Sequence, residues 1–278
     1  MKQFIVKIMR IIRILCLFGI TGGVKYLYYF GKYGKGIGYK KKIRLKYAGG
    51  YIVIRTDSTD LPLVESILVG RLINRKWQGE YCVAERYLNY IDISNPVVVD
   101  AGANIGLFSL LIKREFPEAS IYAIEPERDN YRMLCSNCID TCQRGGILTL
   151  CRGLWSKDAY LKVIPRESGE WGYIVHEVDK EDTDTIQAIS IKSLILQNNL
   201  KKIDLLKMDI EGSEYEIFKS DDLEWLDICD AVVIETHDNI INGVDKLVNT
   251  KMIERGYVKY IYDENQLFIK KKGETKHE

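Results

Sequence analysis

Hydrophobic positions in the second half of the chain form short runs that are separated by longer segments with helical spacing. After Pro96, these β-rich runs cover residues 97–99, 121–124, 147–151, 203–208 and 231–234. Strands that are apolar on both faces and alternate with helices predict a mostly parallel sheet, covered by helices on both faces. Such α/β sheets bind their ligands outside the carboxyl ends of the strands. We therefore expect the chemistry of this protein at that edge.

The N-terminal residues follow a helical pattern with a basic side and an apolar side. Between residues 2 and 18, Lys2, Lys7, Arg10 and Arg13 fall on one side, opposite Phe4, Ile5, Ile8, Ile11, Ile12 and Leu15. Such a basic amphipathic helix either lies peripherally on an anionic membrane or packs on the body of the protein. A secretory signal peptide is a weaker alternative, because the basic residues extend too far and no typical cleavage site follows. The apolar run from Ile14 to Val24 is shorter than the roughly 20 residues that cross a bilayer.

Changes in composition along the chain predict three segments. Residues 1–39 hold the amphipathic helix and the start of a glycine- and lysine-rich linker. Residues 40–95 form a small α+β extension, with an edge strand, a strand at 51–55 and a helix opened by Asp60-Leu61-Pro62, with the acid as its cap. Residues 96–278 form the α/β domain.

Composition and charge narrow the classes of partner. The formal net charge of +1, from 40 basic and 39 acidic residues, gives no overall field that favours nucleic acid. Seven cysteines in 278 residues fit reduced thiols and a cytoplasmic protein better than a disulfide framework. Cys135, Cys138 and Cys142 are predicted to share a helix face, because no Cys/His pair with zinc spacing accompanies them. The sequence therefore assigns no metal ligands.

The stretch "VVVDAGANIGLFS" at residues 97–109 has the features of a nucleoside-binding loop, with a structural turn as the alternative. Asp100 ends a strand, Gly102 permits a close backbone approach, and Gly106 lies where the next helix begins. The glycine spacing differs from G-x-G-x-x-G, so an NAD-dependent oxidoreductase is poorly supported. Glu125 ends the next strand, where an acid either binds ribose hydroxyls or caps a helix, and Pro126 stops that strand.

Four motifs together resemble the FkbM-type S-adenosylmethionine-dependent methyltransferases. They are "VVVDAGANIGLFSLL", "AIEPERDNYRML", "IDLLKMDIEGSEYEIF" and "VVIETH", and the likeness extends back to an R-x-x-x-x-D segment in "VIRTDSTDLPLVESIL". The resemblance implies a Rossmann-like class I methyltransferase fold, S-adenosylmethionine as cofactor, and O-methylation of a sugar, glycolipid or polysaccharide intermediate. One departure is Ser190-Ile191-Lys192, where the family commonly has T-L-D. A non-catalytic, membrane-peripheral assembly protein on the same fold is the alternative function.

The resemblance also implies positions for the cofactor. The methionine end would lie along the loop after the first strand, the ribose at the end of the second strand, and the adenine past the third. The corresponding residues are Asp100, Gly102, Asn104 and Gly106, then Glu125 and Pro126, then Gly153 and Leu154.

The fourth and fifth strands bring ionisable side chains to the same edge. Lys207 and Asp209 share a strand face, Glu211 follows in the turn, and the fifth strand ends in Glu235 and His237. His237 is the first candidate for the base that accepts the proton of a hydroxyl, although it has a structural alternative. Asp209 is the second candidate, with binding of the acceptor or of a divalent ion as its alternatives. Glu211 and Glu235 are predicted to bind the acceptor. Lys207, in a buried strand, is either ion-paired or functional.

A polar insert at residues 164–188 interrupts the alternation of strands and helices. Inserts at the carboxyl edge often shape a binding pocket. Trp171 is predicted either to stack on a sugar ring or to anchor a hairpin, and Arg166 to bond sugar hydroxyls.

Overall fold

The N-terminal third of the protein consists of a long helix followed by two antiparallel hairpins and three short helical elements. The computed structural model describes residues 2–33, 41–73, 76–91, 93–143, 146–165, 173–179, 182, 184–262 and 265–271. In chain order the first elements are α1 (Lys2–Tyr33), β1 (Lys42–Tyr47), β2 (Gly50–Arg55), α2 (Asp60–Leu63), a π-helical turn (Val64–Val69), β3 (Arg71–Ile73), β4 (Lys76–Gln78) and α3 (Cys82–Tyr90). β1 pairs with β2 and β3 with β4, both antiparallel.

The helix predicted for residues 2–18 is present, and it ends at a kink. Gly19 has φ 70° and ψ 169°, outside the helical region, and the chain then re-enters a helix to Tyr33. The strand predicted at 51–55 is confirmed as β2. The prediction that Asp60 caps the following helix is wrong, since Thr59 is the N-cap residue and Asp60 is the first helical residue. Its carboxylate is engaged elsewhere, because it accepts hydrogen bonds from the backbone and the guanidinium of Arg55.

The part of the chain after Pro96 is built around a seven-stranded sheet. Its strands are β5 (Val97–Ala101), β6 (Ser120–Ile124), β7 (Ile147–Leu150), β12 (Leu205–Met208), β13 (Ala231–Glu235), β14 (Tyr257–Tyr262) and β15 (Asn265–Lys270), in the spatial order β14-β15-β13-β12-β5-β6-β7. Every neighbouring pair from β13 to β7 is parallel, and β15 runs antiparallel to both of its neighbours, β13 and β14. The five predicted strands and the Rossmann-like class I methyltransferase fold are thus confirmed. Since β6 lies on one side of β5 and β12 on the other, the strand order reverses at β5, where α/β sheets open a ligand crevice.

Between β7 and β12 the chain forms a second, smaller sheet. Its strands are β8 (Gly153–Trp155), β9 (Tyr160–Pro165), β10 (Tyr173–Val178) and β11 (Thr185–Ser190), in the order β10-β9-β11-β8. The predicted insert at 164–188 therefore contributes most of two strands. Trp171 and Arg166 lie outside the described residues.

Helices cover both faces of the central sheet and close two cores. They are α4 (Leu107–Glu115), α5 (Arg128–Gln143), α6 (Ile191–Asn198), α7 (Ser213–Lys219), a 3-10 turn (Glu224–Ile228) and α8 (Val244–Glu254). Successive side chains of a strand point to opposite faces of the sheet. Val98 and Leu205 therefore belong to one buried cluster, and Val99 and Leu206 belong to the other. Cys135, Cys138 and Cys142 all lie in α5, as predicted.

The first of these cores also contains side chains of the N-terminal helix. Ile14, Phe18 and Tyr26 are fully buried in the same cluster as Val98 and Phe108. Polar contacts also join β2 to the α/β domain. Asn137 on α5 accepts a hydrogen bond from the Val53 amide and donates to the Val53 and Ile105 carbonyls. The division at residues 39 and 95 into separate units stays a prediction.

Two of the predicted basic residues of α1, Arg10 and Arg13, face the protein, while Lys7 is exposed. Arg10 forms a two-pronged ion pair with Glu65 at 2.5 and 2.7 Å, and Arg13 donates to the carbonyls of Leu68 and Val69. The predicted apolar side is instead exposed except at Leu15, which is half-buried, and apolar residues beyond the kink are exposed as well. These exposed residues are Phe4, Ile5, Ile8, Ile11, Ile12, Ile20 and Val24. No helix within the described ranges has the length and hydropathy required to cross a bilayer.

Candidate functional site

The loop between β5 and α4 is folded against the end of β12. Gly102 (φ 74°), Asn104 (φ 50°) and Gly106 (φ 88°) all adopt left-handed backbone conformations. A Cβ on Gly102 would overlap the carbonyl oxygen of Asp209, so only glycine allows this contact. The loop that was predicted to hold a nucleoside therefore lies directly beside the strand that carries Asp209.

Lys207 is buried between two acids beneath this loop. Its Nζ lies 3.5 Å from Asp100 Oδ1 and 3.6 Å from Asp209 Oδ2, and it donates to the carbonyl of Gly102 at 2.7 Å. Burial alone would lower the pKa of Lys207, but the charges of Asp100 and Asp209 outweigh it and raise the pKa. The predicted ion pair is confirmed. With Asp100 also accepting from Ser109 at 2.6 Å, these contacts fix the base of the loop.

Glu125 lies at the carboxyl end of β6, facing the same loop. One carboxylate oxygen accepts from the Asn104 amide at 2.8 Å and the other from the Glu127 amide at 2.9 Å. Burial raises the pKa of Glu125 to about 7, although these two hydrogen bonds and Lys207 oppose the rise. The following residue, Pro126, lies just past the strand end.

The cofactor that the resemblance implies fits these residues. Asn104 Oδ1 is buried and has no hydrogen-bond partner among the described residues. Beside it, each Glu125 oxygen uses one lone pair on the backbone and keeps another for a ribose hydroxyl. An acceptor amide and a carboxylate at neighbouring strand ends match the polar groups of a nucleoside with an amino-acid tail.

Gly153 and Leu154, predicted beside the adenine, follow β7 and belong to β8. Both are buried, and Leu154 packs in the same cluster as Ile124 at the end of β6. Their contact with adenine stays a prediction. Ser190, where the family commonly has threonine of T-L-D, caps α6 by accepting from the Ser193 amide, and Lys192 pairs with Asp222 at 3.2 Å. The aspartate of T-L-D, which this chain replaces with Lys192, is therefore not needed to begin α6.

A cluster of carboxylates surrounds His237 at the ends of β12 and β13. Its Nε2 lies 3.8 Å from Asp209 Oδ1, 3.7 Å from Glu211 Oε2 and 3.9 Å from Glu235 Oε1. On the other side of the ring, Nδ1 lies 3.0 Å from the fully buried Glu214. Four of the six residues predicted for catalysis and acceptor binding are therefore together, and the other two, Arg166 and Trp171, lie outside the described residues.

Burial alone would lower the pKa of His237, but the surrounding acids reverse the effect. The hydrogen bond and charge of Glu214, with the charges of Asp209 and Glu211, raise its pKa to about 9. Without another cation at the site, the imidazole is protonated near neutral pH. A protonated imidazole cannot accept a proton, and this weakens the prediction that His237 is the base.

Two residues of the site, Glu214 and Tyr81, were not predicted from the sequence. Glu214 accepts from the amides of Ile210 and Gly212, and so holds the turn in which Glu211 has a left-handed φ of 53°. It stands in the quoted "DIEGSE" motif, which was the available signal. Tyr81 donates its hydroxyl to Asp209 Oδ2 at 2.9 Å from a position 128 residues away in the chain, and no local pattern indicates that contact.

Comparison with known proteins identifies a matching family and several similar methyltransferases. Residues 100–259 match the family model of the methyltransferase FkbM domain. Methyltransferase sdnD of Sordaria araneosa is 31 % identical over 194 residues, covering 59 % of this chain and 74 % of that protein. Hexuronic acid methyltransferase AglP of Haloferax volcanii is 25 % identical, covering 77 % of this chain and 87 % of that protein. The 31-O-demethyl-FK506 methyltransferase FkbM of Streptomyces tacrolimicus is 29 % identical, covering 51 % and 65 %.

Proposed function

Because the chain belongs to the FkbM methyltransferase domain family, we propose that it uses S-adenosylmethionine to methylate a hydroxyl of a sugar, glycolipid or polysaccharide intermediate. The observation that carries the proposal is the position of the carboxylate cluster. Gly102, in the loop expected to hold the cofactor, contacts the backbone of Asp209, whose side chain belongs to that cluster. Methyl transfer requires the methyl donor and the acceptor oxygen to be held in line at close range. In the proposal, the loop holds the donor and the neighbouring carboxylate cluster holds the acceptor.

In the proposed site, the loop residues and the strand-end acid hold the cofactor. Asp100, Gly102, Asn104 and Gly106 bind the methionine end, and Glu125 accepts from the ribose hydroxyls. When bound, the cofactor supplies an electrophilic methyl group on a sulfonium and leaves as S-adenosylhomocysteine. The acceptor oxygen loses its proton and uses that electron pair to form the new bond to carbon.

Asp209 is the better proton acceptor of the two predicted candidates. Tyr81 and Lys207 hold its Oδ2, while Oδ1 faces the cluster. His237 is protonated near neutral pH in the cluster as it stands, since its pKa is about 9. In a site that holds no metal ion, we assign His237 the role of keeping the acids together and Asp209 the role of accepting the proton.

The acceptor class is supported by chemistry and by two relatives. Carboxylates such as Glu211 and Glu235 accept hydrogen bonds from hydroxyl groups and repel nearby anions. The reacting hydroxyl should therefore lie on a neutral sugar, or away from any carboxylate of a uronic acid. One relative is named for a hexuronic acid, which supports a sugar acceptor, and another for an O-demethylated acceptor, which supports transfer to oxygen.

The proposal is tested first by binding and then by turnover. Calorimetric titration of the purified protein with S-adenosylhomocysteine and with NAD should give binding of the former alone. Radiolabelled methyl transfer to a panel of hexosides, uronic acids and lipid-linked sugars should then identify acceptors, with Asp209→Asn inactive and Glu224→Gln, at an exposed glutamate, unchanged. Absence of S-adenosylhomocysteine binding would reject the methyltransferase proposal and favour a non-catalytic assembly protein.

We also propose that the protein is cytoplasmic and binds an anionic membrane through the exposed side of α1. One side of α1 exposes apolar side chains, among them Ile5 and Ile12, while Ile14 and Phe18 on another side are buried in the core, and β1 packs beside the helix with its own basic residues exposed. These are Lys42, Arg44 and Lys46, and the amide of Lys46 lies next to Gly22 of the helix. Apolar side chains next to a basic strip match the interface of an anionic bilayer. A lipid-linked sugar would be methylated at that surface.

The membrane proposal has a matched test. Ile5 and Ile12 are 49 % and 54 % exposed, so burying each in lipid contributes about 1 kcal/mol, half of the value for a fully exposed side chain. The double variant Ile5→Gln/Ile12→Gln should bind phosphatidylserine-containing vesicles about 30-fold more weakly. The control Ile253→Gln/Ile261→Gln, at two other exposed isoleucines, should sediment like the wild type. Equal sedimentation of all three proteins would contradict the membrane proposal.

A further inference from the structure

We infer that Asp209, Glu211 and His237 bind a divalent cation beside the methyl-donor site, where the ion holds and acidifies the acceptor hydroxyl. The inference rests on the proposed function for its substrate and on the geometry of the cluster for the ion. One ligand atom from each of the three residues lies within 4.8 Å of the others. Ligand atoms that lie about 2.2 Å from one ion are about 3.1 to 4.4 Å apart, so small side-chain movements suffice to close the site.

The imidazole is oriented as a metal ligand would be. Its Nδ1 is held by Glu214, which is fully buried, at 3.0 Å, and a carboxylate partner there places the proton on Nδ1. The side chain of His237 is 9 % exposed, and its Nε2 points among the acids at 3.7 to 3.9 Å, beyond hydrogen-bond distance. A carboxylate that fixes one ring nitrogen while the other binds the metal is the usual support of a metal-bound histidine. A purely acidic cluster would lack this feature.

The electrostatics of the cluster also favour a cation. Asp209, Glu211 and Glu235 converge on one ring nitrogen, and among the described residues Lys207 lies on the far oxygen of Asp209. Converging carboxylates repel one another, and positive charge between them offsets the repulsion. A divalent ion bound by Nε2 and by one oxygen from each ligating acid takes the place of the imidazole proton and brings two positive charges instead of one.

The mixed set of two carboxylates and one imidazole suits a first-row divalent ion such as Mn²⁺. Three protein ligands leave coordination positions open for the acceptor oxygen. With the ion in place, Asp209 serves as its ligand and Glu235 takes over as the proton acceptor. The acceptor O–H bond breaks, its proton passes to the Glu235 carboxylate, and the oxygen keeps the electron pair with which it bonds to the methyl carbon.

The test measures ion binding apart from turnover. The full-length protein, stripped with EDTA, is titrated with MnCl₂ while free Mn²⁺ is followed by electron paramagnetic resonance. We expect one site per chain in the wild type, binding at least about tenfold weaker in Glu211→Gln, and no change in Glu224→Gln. Asp209→Asn serves as a second variant if Glu211→Gln does not fold.

A second measurement places the ion relative to the cofactor. Bound Mn²⁺ should broaden the proton resonances of S-adenosylhomocysteine in the wild type and not in Glu211→Gln. A wild type that binds no Mn²⁺ at millimolar concentration, or a Glu211→Gln variant with wild-type affinity, overturns the inference. If S-adenosylhomocysteine still binds in that case, the proposed function stands without the ion. If the nucleoside itself does not bind, the proposed function fails whatever the ion does.

Discussion

Replacing Glu125 with glutamine should change how the stability of the protein depends on pH. The pKa of this buried carboxyl is about 7 in the folded protein, against an ordinary value of 4.5. Between these two pH values the unfolded chain has lost the proton and the folded protein has kept it. The folded state therefore binds more protons, and the stabilisation, complete below pH 4.5, is lost as pH rises through 7.

The size of the effect follows from the two pKa values. Each tenfold difference in proton affinity is worth about 1.4 kcal/mol, so the wild type should lose about 2.5 kcal/mol relative to Glu125→Gln between pH 5 and pH 8. Glutamine accepts one of the two backbone hydrogen bonds and loses the other, which costs about 1–3 kcal/mol at every pH and leaves the slope unaffected. Urea unfolding followed by tryptophan fluorescence at five pH values measures both quantities. Parallel pH profiles for the two proteins would refute the reasoning.

The same carboxyl should make cofactor affinity depend on pH. Ribose hydroxyls donate to the ionised form, so that bound nucleoside favours loss of the proton. With a pKa of about 7, the affinity for S-adenosylhomocysteine should rise about tenfold from pH 6 to pH 8 in the wild type. Calorimetry on Glu125→Gln should show weaker binding, with that pH dependence removed. A wild-type affinity that is flat over this range would place Glu125 away from the ribose.

Three further substitutions test the packing beneath the site. Gly102→Ala places a Cβ against the carbonyl oxygen of Asp209, at a residue whose φ is 74°. The cost of at least about 3 kcal/mol should lower the midpoint of thermal unfolding by about 6–12 °C. An unchanged midpoint would contradict the close approach of Gly102 to Asp209. Lys207→Met leaves Asp100 as an uncompensated buried charge, and chemical unfolding should show a loss of about 3–5 kcal/mol. Tyr81→Phe removes the hydroxyl that holds Asp209, so that kcat should fall about tenfold or more while calorimetric affinity for S-adenosylhomocysteine stays the same; a matching loss of affinity would show that Tyr81 acts through the cofactor instead.

The sequence predicts the central sheet well because each strand is a local signal. The five apolar runs became β5, β6, β7, β12 and β13 nearly at the predicted bounds. β14 and β15 were not predicted, since they form an antiparallel pair at the sheet edge and carry a mixed polar and apolar pattern. The strand ends in turn located the acids, because parallel strands deliver their carboxyl ends to one edge.

Contacts between distant residues set the limit of the sequence analysis. The helical periodicity of α1 separates a basic from an apolar side, but it does not say which side meets the core. That choice depends on Glu65, which pairs with Arg10 from 55 residues away. The raised pKa of His237 likewise depends on Glu214, which packs behind it from the neighbouring helix. Charge and burial at these positions come from tertiary structure, and local pattern does not contain them.

The burial of α1 in the same core as β5 bears on how the molecule unfolds. Ile14, Phe18 and Tyr26 of α1 pack in the same cluster as Val98 of β5 and Phe108 of α4. When this cluster opens, α1 and the α/β domain therefore lose their packing together. Unfolding should therefore be a single cooperative transition, seen at one denaturant concentration by probes in either part. A fragment that begins at residue 96 would expose the apolar surface that α1 and β1 now cover, and it would aggregate rather than fold as an independent enzyme.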